Sequence, residues 1–175
     1  NIVFYAGSLH RSYGIEHLLN AFEMINDANY ELIIAGNGDG IEQIKQYMSK
    51  DGRIKYLGVI TPKQVKEYQL KATCLVSPRL PFEKYVKYSF PSKTIECLAS
   101  GIPYIAHKLP SEPKDYADYI QYPSGTTDED LKNEIEKVCN MSPYEWKRIG
   151  EKARDFIVNN KTPYMQGRII MKLLR

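Results

Sequence analysis

The chain has 175 residues, 26% charged and 43% hydrophobic, with 11 glycines and 10 prolines. These are globular proportions, and the length suits one domain, residues 1–175, with a sizeable core. A net charge of +3 with a pI of about 8.6 is too mild to be the footprint of a nucleic-acid binder, while a basic pocket for a small anion stays open. No run approaches the roughly 18 apolar residues of a membrane span, and the start does not read as a signal peptide. The chain opens without methionine on an apolar run, as a domain cut from a longer protein would.

In chain order, NIVFYAG (1–7) reads as a buried strand ending in glycine. After Gly14, the residues Ile15, Leu18, Leu19, Phe22 and Ile25 fall on one helical face. YELIIAG (30–36) is a second buried strand, GIEQIKQYMS (40–49) a second amphipathic helix and RIKYLG (53–58) a shorter third strand. TPKQ (61–64) then supplies an N-cap threonine, a proline at the first helical position and a glutamine three residues after the cap. That helix runs to about Ala72, and TCLVSP (73–78) is the fourth strand. Beyond the irregular RLPFEKYVKYSFP, a short helix from Ser92 to Ser100 leads through Gly101 into strand IPYIAH (102–107). DYIQYP (118–123) reads as a sixth strand, and three helices follow: 127–139, one capped by SPYE (142–145) and one begun by TP (162–163).

Strands alternating with helices imply right-handed β-α-β units: a doubly wound, Rossmann-like α/β fold with a parallel six-stranded sheet, helices on both faces and extra C-terminal helices. Cys74, Cys97 and Cys139 are odd in number and widely spaced, which argues for reduced thiols in a cytosolic protein and against a disulfide framework or a zinc site.

In such sheets ligands bind beyond the carboxyl ends of the strands, where the strand order reverses. With the order 3-2-1-4-5-6 that point lies between strands one and four, so the loops to inspect are GSLHRSYG (7–14) and SPRLPFEKYVKYSFPSK (77–93). In the first, Gly7 allows close backbone approach and Arg11 is either a phosphate clamp or a surface arginine on a solvated turn. AGNGDG (35–40) is a poor dinucleotide fingerprint, because it follows the second strand and lacks the acidic residue about twenty positions on. It fits better as a tight turn whose backbone lies near a nucleotide.

SFPSKTIECLASGIPYIA (89–106) poses the sharpest question. With Ser92 as N-cap, Lys93 sits in the first helical turn, where a cation opposes the helix dipole by roughly 0.3–1 kcal/mol. A diphosphate would reverse that sign; a simple i,i+3 pair with Glu96 is the plainer account. Glu96, between Ile95 and Leu98 in a short helix, reads as a buried carboxylate needing donors such as ribose hydroxyls, or else as a surface residue.

YAGSLHRSYGIEHLLNAF, ELIIAGNGDG, IKYLG, the SP after strand four and SFPSKTIECLASGIPYIAHKLP follow one another with the spacings of a known family. Over residues 2 to 125 they resemble the carboxyl-terminal, donor-binding domain of glycosyltransferase family 4, of GT-B architecture, and the PSK version is similar to bacterial enzymes assembling capsule, exopolysaccharide or O-antigen. The resemblance implies retaining glycosyl transfer from a UDP- or GDP-linked sugar, without metal or other cofactor. It implies that Glu96 holds the ribose, that amides at Ser92 and Lys93 face the diphosphate, and that loops 7–13 and 36–38, with Gly7, Ser8, His10, Arg11, Gly36 and Gly38, line the donor site. The base is expected near the loop after strand three. The implied partners are the amino-terminal acceptor domain of the same protein and a saccharide or lipid-linked acceptor. The implied location is the cytoplasm, including the inner face of the plasma membrane.

Three departures stand out. Where the family has arginine after the first glycine and lysine before the second, this chain has Ser8 and Tyr13, leaving His10, Arg11 and Lys93 to supply charge. The family's first glutamate falls at Tyr88, with Glu83 the nearer carboxylate and the candidate catalytic residue. The acceptor domain lies outside this chain. A sugar-nucleotide epimerase of the same architecture and a non-catalytic module with a degenerate site are the alternative readings. A stripe of Ile169, Ile170, Leu173 and Leu174 is expected either to pack on this domain or to cover the other one.

Overall fold

Five strands form one parallel sheet: β1 (Ile2–Ser8), β2 (Glu31–Asn37), β3 (Ile54–Tyr56), β4 (Cys74–Ser77) and β5 (Tyr104–Ala106), in the order β3-β2-β1-β4-β5. The computed structural model describes residues 1–173; the side chains of Ile169 and Leu173, and all of Leu174 and Arg175, lie outside the described residues. The helices are α1 (Ile15–Glu23), α2 (Ile41–Lys50), α3 (Pro62–Lys71), α4 (Lys93–Ala99), α5 (Asp128–Cys139), α6 (Pro143–Asn160) and α7 (Pro163–Leu173). Their starts are chemically marked. Thr61 and Gln64 close a capping box on α3, Thr127 and Asp130 close another on α5, and the Ser142 hydroxyl accepts from the Glu145 amide at α6.

The strands alternate their side chains between two cores. Val3, Tyr5, Leu32, Ile34, Cys74, Val76 and Ile105 meet Leu18, Leu19 and Phe22 of α1, Ile44 of α2, and Leu131, Ile135 and Val138 of α5. Phe4, Ile33, Leu75 and Tyr104 face the other way, against Leu98 of α4 and Ala153, Phe156 and Ile157 of α6. Apolar side chains on both faces are why the strands read as continuous hydrophobic runs.

The sixth strand does not form. Residues 118–123 contribute one isolated bridge, Gln121 to Ile105, in which Ala106 N–H donates to Gln121 O and Gln121 N–H to Tyr104 O. Pro123 has no amide to extend the ladder. The 3₁₀ turn Lys114–Tyr116 just upstream sends Tyr116 into the core, where Ile120 joins it. Of the expected stripe on α7, Ile170 is exposed; Ile169, Leu173 and Leu174 fall outside what is described.

The thiols are free: Cys74 Sγ and Cys139 Sγ lie 4.0 Å apart, at hydrogen-bonding distance and without a disulfide. A polar chain also runs through the first core. Tyr47 OH donates to Asn20 Oδ1, Asn20 Nδ2 donates to Asp128 Oδ2 at 2.9 Å, Asp128 Oδ1 meets His17 Nδ1, and His17 Nε2 lies 2.9 Å from His107 Nε2. Burial and the neighbouring His17 hold the His107 pKa down at about 4, against the pull of the Gly125 carbonyl and Asp130.

β1 pairs with β2 along seven residues but with β4 only at Val3↔Cys74 and Phe4↔Leu75. Beyond Phe4 and Leu75 the two strands splay. The consequence is a crevice at their carboxyl ends, at the reversal of strand order.

Candidate functional site

The crevice has a volume of about 280 Å³. One wall is the end of β1, Tyr5 to Ser8; the other is Val76 and Ser77 of β4, with Pro91, Ser92 and Lys93 closing over it. Its rim carries two charged side chains, Arg79 and Lys93, and no carboxylate. A wider groove of about 810 Å³ adjoins it, lined by residues 60–70 of the loop after β3 and helix α3, and by Glu96 and Arg154. Gln69 and Lys93 line both, so the two are neighbours that meet at these residues.

Gly7, Ser8, Ser92 and Lys93 therefore meet in the crevice, and Lys93 and Glu96 in the groove. The remaining expected residues lie elsewhere. His10 is exposed, with Nδ1 3.6 Å from Asp39 Oδ1, and the Arg11 amide donates to the same oxygen. Those contacts, the amide bond first, hold the Asp39 carboxyl below its ordinary range. The Arg11 side chain borders a shallow groove on the far side of the loop, with His17 and Asp128. Tyr88 is 90% exposed, and Glu83 stands half-buried at the start of the 3₁₀ turn Lys84–Lys87. Neither lines the crevice or the groove.

Gly36 and Gly38 serve the packing of loop on loop. A Cβ on Gly36, whose φ is +142°, would lie 1.8 Å from the Gly7 carbonyl oxygen, and one on Gly38 2.4 Å from the Leu9 backbone. Leu9 N–H donates to Asn37 O and Gly40 N–H to Leu9 O across the same seam. The glycine pattern of AGNGDG thus seats the first loop.

Two readings of the 89–106 stretch need correction. Ser92 does not cap α4: its backbone is already helical, its hydroxyl makes no capping bond, and the turn begins earlier, with the Thr94 amide donating to Pro91 O. Glu96 is not buried; its side chain is 63% exposed and lies 3.8 Å from Lys93 Nζ. The buried polar residue of this helix is Thr94, whose hydroxyl meets the Tyr104 OH at 3.3 Å. Glu96 consequently presents its carboxylate to the groove. Cys97, between them, lines the crevice, and burial of its thiol pushes the pKa up to about 12 against the pull of Lys93, so it stays an inert thiol at neutral pH.

Arg79 is the residue that sequence reasoning missed. Its guanidinium lies 4.0 Å from the centre of the Tyr13 ring and 5.6 Å from that of Tyr85. Tyr85 OH donates to the Ser12 carbonyl at 2.9 Å, tying the loop after β4 to the loop after β1. Burial raises the Tyr85 phenol pKa, with Arg79 opposing. The available signal was a lone arginine straight after the SP that ends β4.

The family model described as "Glycosyl transferases group 1" matches residues 1–161. The chain belongs to this glycosyl transferase family. No curated protein matches its sequence. Among solved structures, sucrose-phosphate synthase from Thermosynechococcus elongatus superposes with a TM-score of 0.78 at 21% identity, over 99% of this chain and 45% of that one. HepE from Anabaena, solved in complex with UDP and glucose, gives 0.77 at 16%, over 99% and 47%. The catalytic domain of cholesterol-α-glucosyltransferase from Helicobacter pylori gives 0.74 at 16%, over 91% and 98%. The glycosyl transferase chain thus spans less than half the length of the first two. At these identities the likeness is one of fold. No group of three or more His, Cys, Asp or Glu suited to a metal ion occurs among the described residues, and none of their helices is long and apolar enough to cross a membrane.

Proposed function

We propose that this chain is the donor-binding domain of a retaining, GT-B type glycosyltransferase of family 4, binding a UDP- or GDP-linked sugar for surface polysaccharide assembly. The observation that carries the reading is the pair of adjoining cavities at the strand-order reversal: the charged residues lining the narrow one are both cations, and the wide one offers Glu96. The narrow crevice suits the diphosphate and the groove suits the nucleoside, with the Glu96 carboxylate accepting from the ribose hydroxyls and residues 58–62 near the base. Lys93 stands between the two. Among the described residues no carbonyl accepts from the Ser92 or Lys93 amide, leaving both for phosphate oxygens. HepE, with UDP in its structure, supports a uridine diphosphate as the first ligand to try.

Departure of the diphosphate would leave an oxocarbenium-like sugar, so the protein's task here is to stabilise charge on the leaving group. Arg79 and Lys93 supply that charge without a metal. The acceptor, saccharide or lipid-linked, and half of the cleft would come from an amino-terminal domain, and the whole protein would work in the cytoplasm. Alone, the chain should bind nucleotide without turning it over. Isothermal titration with UDP, GDP and their sugars tests this: binding should weaken in Glu96→Ala and in Lys93→Ala. Unchanged binding in both variants would sink the assignment. Epimerisation or hydrolysis of the sugar nucleotide by the whole protein with no acceptor present would favour an epimerase instead.

A further inference from the structure

The two charges on the crevice rim are not equivalent. Lys93 has Glu96 beside it at 3.8 Å, whereas Arg79, half-buried, has no ion-pair partner among the described residues. A cation withdrawn from water without a counter-charge is unfavourable. The Tyr13 and Tyr85 ring faces offset part of that cost, at 4.0 and 5.6 Å from the guanidinium carbon. The rings are themselves fixed, 5.1 Å apart and anchored by the Tyr85 OH on the Ser12 carbonyl. The Arg79 side chain donates no hydrogen bond among the described residues, so its N–H groups are free to donate, and a guanidinium can grip a phosphate in two places. A positioned, partnerless, planar cation beside an acid-free crevice is complete only when an anion arrives.

We infer that Arg79 is the principal anion-binding residue of this crevice, and that Tyr13 and Tyr85 are positioning residues holding its guanidinium toward a diphosphate. The inference rests on the donor-binding reading and deepens it. It moves the decisive charge from the first loop to the loop after β4. On the first loop Ser8 and Tyr13 carry no charge, His10 meets Asp39 and Arg11 borders the far groove. Tyr13 thereby gains a definite part: it is the surface on which the relocated cation rests.

The test is calorimetric titration of the full chain with UDP, uridine and inorganic pyrophosphate, with melting curves showing that each variant is folded. Arg79→Gln should weaken UDP and pyrophosphate by about 10- to 100-fold, the range of one charge-assisted hydrogen-bonding partner, and leave uridine unchanged. Arg79→Lys should recover only part of the loss, because an ammonium neither stacks nor forks. Tyr13→Leu should weaken UDP in the parent chain and add nothing in the Arg79→Gln background, a non-additivity that a merely structural tyrosine would not give. Arg79→Gln/Tyr13→Lys, which returns a cation to the first loop, should restore much of the affinity. A parent chain that binds UDP with an affinity insensitive to Arg79→Gln overturns this inference and leaves the donor reading intact. Arg79-dependent binding of pyrophosphate, with uridine adding nothing in UDP, supports the inference and overturns the donor reading. Failure of the parent to bind UDP, GDP or pyrophosphate overturns both.

Discussion

Two loop systems border the crevice, and they differ in how their polar groups are used. The first, residues 7–14 seated on 36–40, makes most of its polar contacts within itself. Its backbone is laced by the Leu9–Asn37 and Gly40–Leu9 bonds, His10 and the Arg11 amide share Asp39, and behind it His17, Asp128, Asn20 and Tyr47 satisfy one another. The second, residues 79–93, does not. Arg79 lies over two aromatic rings with no ion-pair partner among the described residues, and Lys93 has an exposed carboxylate 3.8 Å away. The system that looks like a ligand loop, with its glycines and its His-Arg pair, is a finished piece of scaffold. The system without a motif carries the charge that a ligand must meet.

The largest expected effect is at Gly36. If the glycines seat one loop on the other, Gly36→Ala should destabilise by at least about 3 kcal/mol, since its Cβ would lie 1.8 Å from a carbonyl oxygen at a φ of +142°. Gly52→Ala, where a Cβ meets nothing within 4 Å, should stay within about 0.5 kcal/mol. Urea denaturation of both checks this. A mild Gly36→Ala would mean that the first system has slack and is free to move for a ligand.

The polar chain behind the first loop gives the next largest effect. His107 has its folded pKa depressed to about 4 from the ordinary 6.5. Between those values the unfolded chain takes up a proton that the folded chain refuses. The contribution is therefore complete above pH 6.5 and lost as pH falls toward 4, amounting to at most about 3 kcal/mol. His107→Leu should flatten that part of the stability–pH curve, measured by denaturant midpoints from pH 7 to 4. A slope that persists would show that the network accepts a proton readily.

How far the sequence foretold these regions depends on the range of the forces involved. Strand runs, the Thr61–Gln64 box and the helix starts at Thr127 and Ser142 are decided within a few residues, and they appear where the pattern puts them. The sheet order through five strands, and with it the crevice, follows from alternation and connection rules. The expected sixth strand does not form because Tyr116 and Ile120 are drawn to the core by tertiary packing. The exposure of Glu96 was illegible for a similar reason. In so short a helix the buried face is chosen by α6, where a Cβ on Gly150 would meet Gly101 O at 1.9 Å, and by the Thr94–Tyr104 contact. Arg79 acquires meaning only when residues 13, 79 and 85 meet, which no local window contains.

The tie between the two systems is the Tyr85 hydroxyl on the Ser12 carbonyl. Tyr85→Phe keeps the ring under Arg79 and removes that bond, so it should cost about 0.5–1 kcal/mol. Hydrogen exchange at the amides of residues 10–14 should quicken more than at residues 36–40. Equal quickening at both would show that the first loop depends on its neighbour rather than being sealed by itself.

The smallest stability effect is at Glu96, and it is the most informative one. Its contact with Lys93 is an i,i+3 pair at 3.8 Å with side chains 63% and 47% exposed, and such pairs contribute between nothing and about 0.5 kcal/mol. Glu96→Gln should therefore leave the melting temperature nearly unchanged in the absence of ligand. Calorimetry on the same variant should nevertheless record weaker binding of uridine as well as UDP, because a carboxamide is a poorer acceptor for ribose hydroxyls than a carboxylate. Arg79→Gln should do the reverse, sparing uridine and weakening UDP. If Glu96→Gln and Arg79→Gln instead weaken the same ligands equally, the crevice and the groove are one undivided site, and the assignment of phosphate to one and nucleoside to the other falls.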